Sequence, residues 1–192
     1  MLFDESDEKI IALYKSGRED AFKFLIDKYT SPLYNFVTRL TNQNNAPDIV
    51  QEIFIKVWKN INGFDSKKAS FKTWIFTIAK NTTTDFLRKK KSILFSDLEK
   101  NTEEKETTFS ESIPDENLLP DEALQKLQDS VLLNKILDKI SINYKTILIL
   151  HYEEDMTFDE IGKILNKPLN TVKSQHRRAI LELRAIMENI EK

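Results

Sequence analysis

Cysteine is absent from the 192-residue chain, which excludes disulfides, thiolate nucleophiles and the usual structural zinc sites. The two histidines, His151 and His176, each lack a second histidine three or four residues away, so no metal site is expected. With 3 glycines and 5 prolines the chain is poor in the turn residues an all-β fold needs, and it is rich in Leu, Ile, Lys and Glu. No apolar run approaches the roughly 20 residues that span a bilayer, and the acidic start MLFDESDEKI is unlike a secretory signal. The expectation is an all-α cytoplasmic protein with no cofactor and no stable membrane insertion.

Net charge is only -2, which looks wrong for a nucleic-acid binder, but the average hides segregation. Between Lys72 and Lys91, Lys72, Lys80, Arg88, Lys89, Lys90 and Lys91 are opposed only by Asp85. Between Lys163 and Arg184, Lys163, Lys167, Lys173, Arg177, Arg178 and Arg184 are opposed only by Glu182. Two basic islands in an acidic chain are a footprint for polyanions.

The first island, FKTWIFTIAKNTTTDFLRKKK from Phe71 to Lys91, reads as a helix. At about 100° per residue, Phe71, Trp74, Ile75, Ile78, Ala79, Thr82 and Phe86 share an inward face. Thr73, Thr77, Lys80, Asn81, Thr84, Arg88 and Lys91 lie opposite, with Asp85 at the margin, a face able to follow phosphates and offer polar groups to bases. A polar face and a cationic end also suit any surface helix, so this stretch alone decides nothing. Phe76 and Leu87 fall outside the stripe and call for a second packing partner.

Upstream, helices are expected over about Asp7 to Lys15, closed by Gly17, over Glu19 to Tyr29 and over Pro32 to Leu40. Another starts near Ala46-Pro47, with Ile49, Val50, Ile53, Phe54, Val57, Trp58 and Ile61 on its core face and Asp48, Gln51, Glu52 and Lys56 at or beyond its edge. Asn62 to Ser66 breaks that helix, and Ser70 caps the next. Phe64, in the loop, either stacks on an unpaired base or plugs its own domain.

From Ser92 to Glu122 the periodicity fades and acidic residues dominate, the composition of a linker. Helical patterns resume at Leu124 to Ile140 and at Tyr144 to Tyr152. In MTFDEIGKILNKPLNTVKSQHRRAILELR, Thr157 and Glu160 fit a capping box, and Met156 and Ile161 its hydrophobic staple. A tight turn past Pro168 leads to a second helix, expected to be capped by Asn170, with Val172, Ala179, Leu183, Ile186 and Ile190 inward. Thr171, Lys173, Ser174, Arg177 and Arg178 lie outward, and His176 falls on the inner side. Two short helices, a tight turn and a basic outer face describe a helix-turn-helix.

Together these stretches resemble the sigma-70 family of bacterial RNA polymerase sigma factors, in particular the extracytoplasmic-function (group IV) type. Asp48 to Trp58 is similar to the family's region 2.2, Phe71 to Arg88 to regions 2.3 and 2.4, and Thr157 to Arg184 to region 4.2. The resemblance implies two small helical domains, region 2 over residues 1–91 and region 4 over 123–192, joined by an acidic flexible linker at 92–122. It implies a non-enzymatic protein that directs promoter-specific initiation. Asp48, Gln51, Glu52 and Lys56 would meet the clamp helices of the largest polymerase subunit, and region 4 the flap of the second largest. Phe64, Lys72, Trp74, Lys80, Asn81, Thr84, Asp85 and Arg88 would hold the opened -10 strand. Thr171, Lys173, Ser174, Gln175, Arg177 and Arg178 would read the -35 duplex. An anti-sigma factor is a further implied partner.

Four positions depart from the family pattern: Gln175 and Ile180 where arginine is frequent, His176 where an aliphatic is usual, and Gly162 where alanine is common. Two other functions fit parts of the pattern. A dimeric helix-turn-helix repressor would bind palindromic DNA without polymerase, and a carboxylate-bridged bundle metalloenzyme would need Glu-x-x-His helices that are not present.

Overall fold

The computed structural model describes residues 5–41, 45–96, 136–137 and 139–190, with backbone only for 91–96 and 189–190. Seven α-helices run through these residues, with no strand among them. They are α1 (Asp7–Lys15), α2 (Ala21–Thr41), α3 (Ala46–Asn60), α4 (Phe71–Ser96), α5 (Ile142–Tyr152), α6 (Phe158–Leu165) and α7 (Leu169–Ile190). Residues 97–122 of the expected 92–122 linker, and most of the expected helix at 124–140, lie outside the described residues. Among the described residues no helix is long and apolar enough to cross a membrane, and no group of three or more His, Asp or Glu could hold a metal ion.

The helix ends follow the local chemistry. Ser6 caps α1, and Gly17 leaves it with φ of 102°, a conformation that costs glycine nothing. Ser70 Oγ accepts the Thr73 N–H at 3.2 Å to start α4. Thr157 and Glu160 form the full capping box of α6. Asn170 is not the cap of α7: the helix begins one residue earlier, and the Val172 N–H donates to the Pro168 carbonyl at 3.1 Å. Pro168 already holds φ near its helical value, so it serves as the helix start.

Two expected segments prove to be one helix. α2 runs unbroken through Pro32, although proline removes a backbone donor there. Leu25 and Tyr29 before it and Leu33, Phe36 and Val37 after it are all buried on the same side, so packing holds both halves of α2 in line. Phe76 finds its second partner here, meeting the Phe36 ring edge-on at 5.4 Å. α4 also outlasts its expected end at Lys91 and continues to Ser96.

α1, α2, α3 and the first turns of α4 form one bundle, and α5, α6 and α7 form the helix-turn-helix unit. The two are packed together: α6 lies on α4, α5 lies on α2, and a single buried cluster runs from Ile10 through Ile75 to Ile161 and Val172. Ion pairs border the seam. Arg39 Nε meets Glu153 Oε1 at 3.0 Å, Lys72 Nζ meets Glu154 Oε2 at 3.4 Å and also donates to the Glu154 carbonyl, and buried Lys145 donates to the Arg39 carbonyl at 3.3 Å. Burial at this seam raises both the Glu153 and Glu154 carboxyls above their ordinary range, and the facing Arg39 and Lys72 partly offset it.

A second, smaller cluster holds Ile136, Leu137, Ile140, Leu148, Ala179, Ile180 and Leu183. It gives Ile180 a reason. The side chain is 4% exposed and packs against the segment before α5, where an arginine would be buried without a partner.

Candidate nucleic-acid interface

α4 presents most of its expected polar face, except that Thr73 is buried at its start and the Lys91 side chain lies outside the described residues. Asn81, Thr84 and Arg88 are exposed, and Lys80 and Asp85 are half-buried. Thr77 and Thr84 return their hydroxyls to the helix carbonyls of Thr73 and Lys80, at 2.8 Å in each case. Lys80 Nζ donates to Asn81 Oδ1 at 3.3 Å, which leaves the Asn81 NH₂ pointing donors outward. Arg88 is paired with Asp85 at 3.1 Å, an exposed contact that a phosphate can displace at little cost. Lys72 is paired with Glu154 at the seam between the two units.

Of the two roles the sequence leaves open for Phe64, the structure shows the plug. Its ring is half-buried, 5.6 Å from Phe71 and 5.4 Å from Trp74, so it plugs the bundle, yet it sits in the loop that leads into α4. Lys15 ties that loop down by donating to the Asn62 and Phe64 carbonyls at 3.1 Å each. Phe64, Trp74 and Phe71 form a continuous aromatic shelf whose Trp74 end is half-buried beside the polar face of α4.

On α3, Asp48, Gln51 and Glu52 are exposed as expected, and Lys56 leans inward, pairing with Glu52 at 2.8 Å and donating to Thr82 Oγ1 at 3.1 Å. Trp58 corrects the sequence expectation: it is not a core residue but is 54% exposed, and Ile55 is 43% exposed. Ile49, Val50, Ile53, Val57 and Ile61 already fill the buried side of α3. Gln51, Ile55 and Trp58 therefore form an outward stripe at helical spacing, an apolar ridge edged by carboxylates.

On α7, Thr171, Lys173, Ser174, Arg177 and Arg178 are exposed, and Gln175 is half-buried. The helix is held from below by Val172, Ala179, Ile180 and Leu183. His176 is 6% exposed, its Nε2 is 3.1 Å from the Tyr152 hydroxyl, and its ring packs against His151 and Phe158 at 5.3 and 4.9 Å.

Burial, with a smaller contribution from His151, lowers the His176 pKa to about 4. Below the ordinary imidazole value of 6.5 the unfolded chain therefore binds a proton that the folded chain refuses. Stability falls as pH drops from 6.5 toward 4 and is flat above. Thermal unfolding of the full chain is expected to show a loss of about 2 kcal/mol between pH 7 and pH 5 that His176→Leu abolishes; an unchanged pH dependence in the variant contradicts this.

The two units match two family models: Sigma-70 region 2 over residues 25–93 and Sigma-70, region 4 over residues 130–183. Over 95% of this chain and 97% of the relative, the chain is 35% identical to the ECF RNA polymerase sigma factor SigW of Bacillus subtilis. It is 27% identical to the ECF RNA polymerase sigma-E factor of Haemophilus influenzae, over 96% of this chain and 94% of that one. Among solved structures, CnrH in complex with the cytosolic domain of CnrY shares the fold with a TM-score of 0.68 at 19% identity, covering 96% of this chain and 99% of the other. RpoE of Bartonella quintana in complex with the anti-sigma factor NepR shares it at 0.64 and 24% identity, over 87% of this chain and 96% of the other.

Proposed function

The chain belongs to the extracytoplasmic-function RNA polymerase sigma factors, non-enzymatic subunits that direct promoter-specific initiation, and from that premise we propose how its helices divide the work. α3 docks on the polymerase core through the exposed stripe of Gln51, Ile55 and Trp58, with Asp48 and Glu52 at its edge. α4 and the Phe64 loop take the unpaired -10 strand, with Phe64 and Trp74 for stacking, Asn81 and Thr84 for base edges, and Lys80 and Arg88 for phosphates. The outer face of α7 enters the -35 major groove. The observation that carries this reading is the coexistence, on one small protein, of two separate basic faces, one beside an aromatic shelf and one on a helix-turn-helix.

The physical division is reasonable. Holding a base out of a duplex costs a few kcal/mol, and stacking on an aromatic recovers about 1–3 kcal/mol per base. Two weak readers on one chain add their effects through effective concentration.

Geometry adds a requirement. Elements named -10 and -35 lie some 25 base pairs apart, about 85 Å of duplex at about 3.4 Å per step. α6 packs on both α4 and α7, and packed helices have axes about 10 Å apart, so the two readers α4 and α7 stand about 20 Å apart at most. The packed form therefore does not read both elements at once. The halves must part, and the chain between residues 96 and 136 is long enough to allow it, since extended chain reaches about 3.3 Å per residue.

The packed arrangement is the resting form, and core polymerase selects the open one. The sigma factor RpoE, which shares the fold, has been solved bound to the anti-sigma factor NepR, and we extend that to this chain: an anti-sigma partner holds it closed. Purification of the chain free of any such partner under every growth condition would count against that extension.

The docking surface is tested by core-binding titration. Trp58→Ala is expected to weaken binding to polymerase core at least tenfold while leaving thermal unfolding unchanged, because an exposed aromatic contributes to an interface and little to its own fold. Unchanged core affinity would place the docking surface elsewhere.

A further inference from the structure

The turn of the helix-turn-helix holds a contact that the division of labour above does not use. Gly162 is buried in α6, and a Cβ there would stand 2.8 Å from the Lys167 carbonyl oxygen, closer than side chains tolerate. The Lys167 N–H donates to the Gly162 carbonyl at 2.9 Å, and Asn166 adopts the left-handed conformation, φ 52°, that brings the chain round. The turn thus lies on α6 as closely as bare backbone allows. From there Lys167 Nζ reaches across to α7 and donates to Gln175 Oε1 at 3.1 Å, with both residues half-buried.

That contact fixes what Gln175 offers to DNA. An ammonium only donates, so the amide oxygen must face Lys167 and the two N–H donors face elsewhere. A free glutamine offers donor and acceptor side by side, the pattern that pairs with adenine N7 and N6. With one of the two lone pairs of its oxygen taken and that oxygen turned toward Lys167, the side chain presents its N–H donors foremost, and these suit an edge made of acceptors alone, the N7 and O6 of guanine. Gln175 shares a stripe with Thr171 and Arg178 at spacings of four and three residues, so it stands among the exposed groups of that face.

We propose that Gln175 reads a guanine in the -35 major groove, with Lys167 as the residue that positions it and Gly162 as the residue that lets Lys167 come close enough. This rests on α7 being the -35 reader. It also joins two of the chain's departures from the family pattern, Gly162 and Gln175, into one device: the close turn supplies the lysine that an arginine at 175 would not need.

The test is the base preference of holoenzyme on a pool of promoters randomised in the -35 element, read as initiation from each sequence. The unmodified chain is expected to favour guanine over adenine at one position by about tenfold, the size of one good base contact. Gln175→Ala removes that preference. Lys167→Met moves it toward adenine, and Lys167→Arg keeps it, while the other -35 positions are unchanged in all three. A uniform loss across all sequences in Lys167→Met would make Lys167 a phosphate contact and overturn the proposal. So would preferences that survive both Gln175→Ala and Lys167→Met. Absence of any -35 preference in the unmodified chain would instead overturn the reading of α7 itself.

Discussion

A chain crosslinked across its two halves is expected to lose promoter-dependent initiation by two orders of magnitude or more. The protein has no cysteine, so Arg39→Cys and Glu153→Cys introduce the only thiols, one on each side of the seam, at positions whose side chains are 3.0 Å apart in the parent. Neither residue belongs to a DNA-reading or core-docking face. A short bifunctional thiol reagent that dithiothreitol cleaves would hold α5 and α2 together, and reduction would release them.

The size of the effect follows from geometry: α6 packs on both α4 and α7, so α4 and α7 stand about two interaxial distances, about 20 Å, apart at most and do not reach elements some 85 Å apart. Initiation should return on reduction to the level of the uncrosslinked double variant, and a monofunctional reagent should have little effect. Full activity of the crosslinked chain would mean that the packed form is compatible with promoter binding.

The second large effect is expected at Asn81. Its amide is exposed and its oxygen accepts from Lys80, which leaves the NH₂ donors available. Asn81→Ala should reduce initiation on duplex promoters roughly 100-fold, and a template already unpaired through the -10 element should restore most of it. The reason is that the lost contacts offset strand opening, which costs a few kcal/mol per base, and every 1.4 kcal/mol is a factor of ten. Arg88→Ala should behave differently: a phosphate contact gives a modest loss on both templates and a shallower dependence on salt. An equal deficit of Asn81→Ala on duplex and premelted templates would remove Asn81 from the opening step.

The local features of this fold are legible in the sequence because their causes are local. The Thr157–Glu160 box, the Ser70 cap and the positive φ of Gly17 each follow from a few neighbouring residues. The burial of Val172, Ala179, Leu183 and His176 on α7 follows from periodicity alone, while the Ile190 side chain lies outside the described residues. A helical wheel assigns Trp58 to the core because an aromatic at the margin of an apolar face counts as part of that face. The signal that separates it is the spacing of Gln51, Ile55 and Trp58, a second stripe on a helix whose first stripe is already complete. Ile180 stands out in the sequence only as a departure from a frequent arginine, because its packing partners, Ile136, Leu137 and Ile140, are some forty residues away.

The seam between the halves is not legible at all. Nothing near Lys145 or Glu154 announces that they are buried, and charged residues seldom are. The exposed sides of α4 and α7 were found from charge segregation, but the link from Gly162 through Lys167 to Gln175 needed the turn in three dimensions.

The most direct test of the account is run-off transcription by purified polymerase core on promoter fragments, with and without this protein. Initiation that depends on the protein and is lost in Gln51→Ala/Glu52→Ala and in Asn81→Ala is the predicted result. Tight duplex binding by the protein alone, with no core binding and no transcripts, would contradict it.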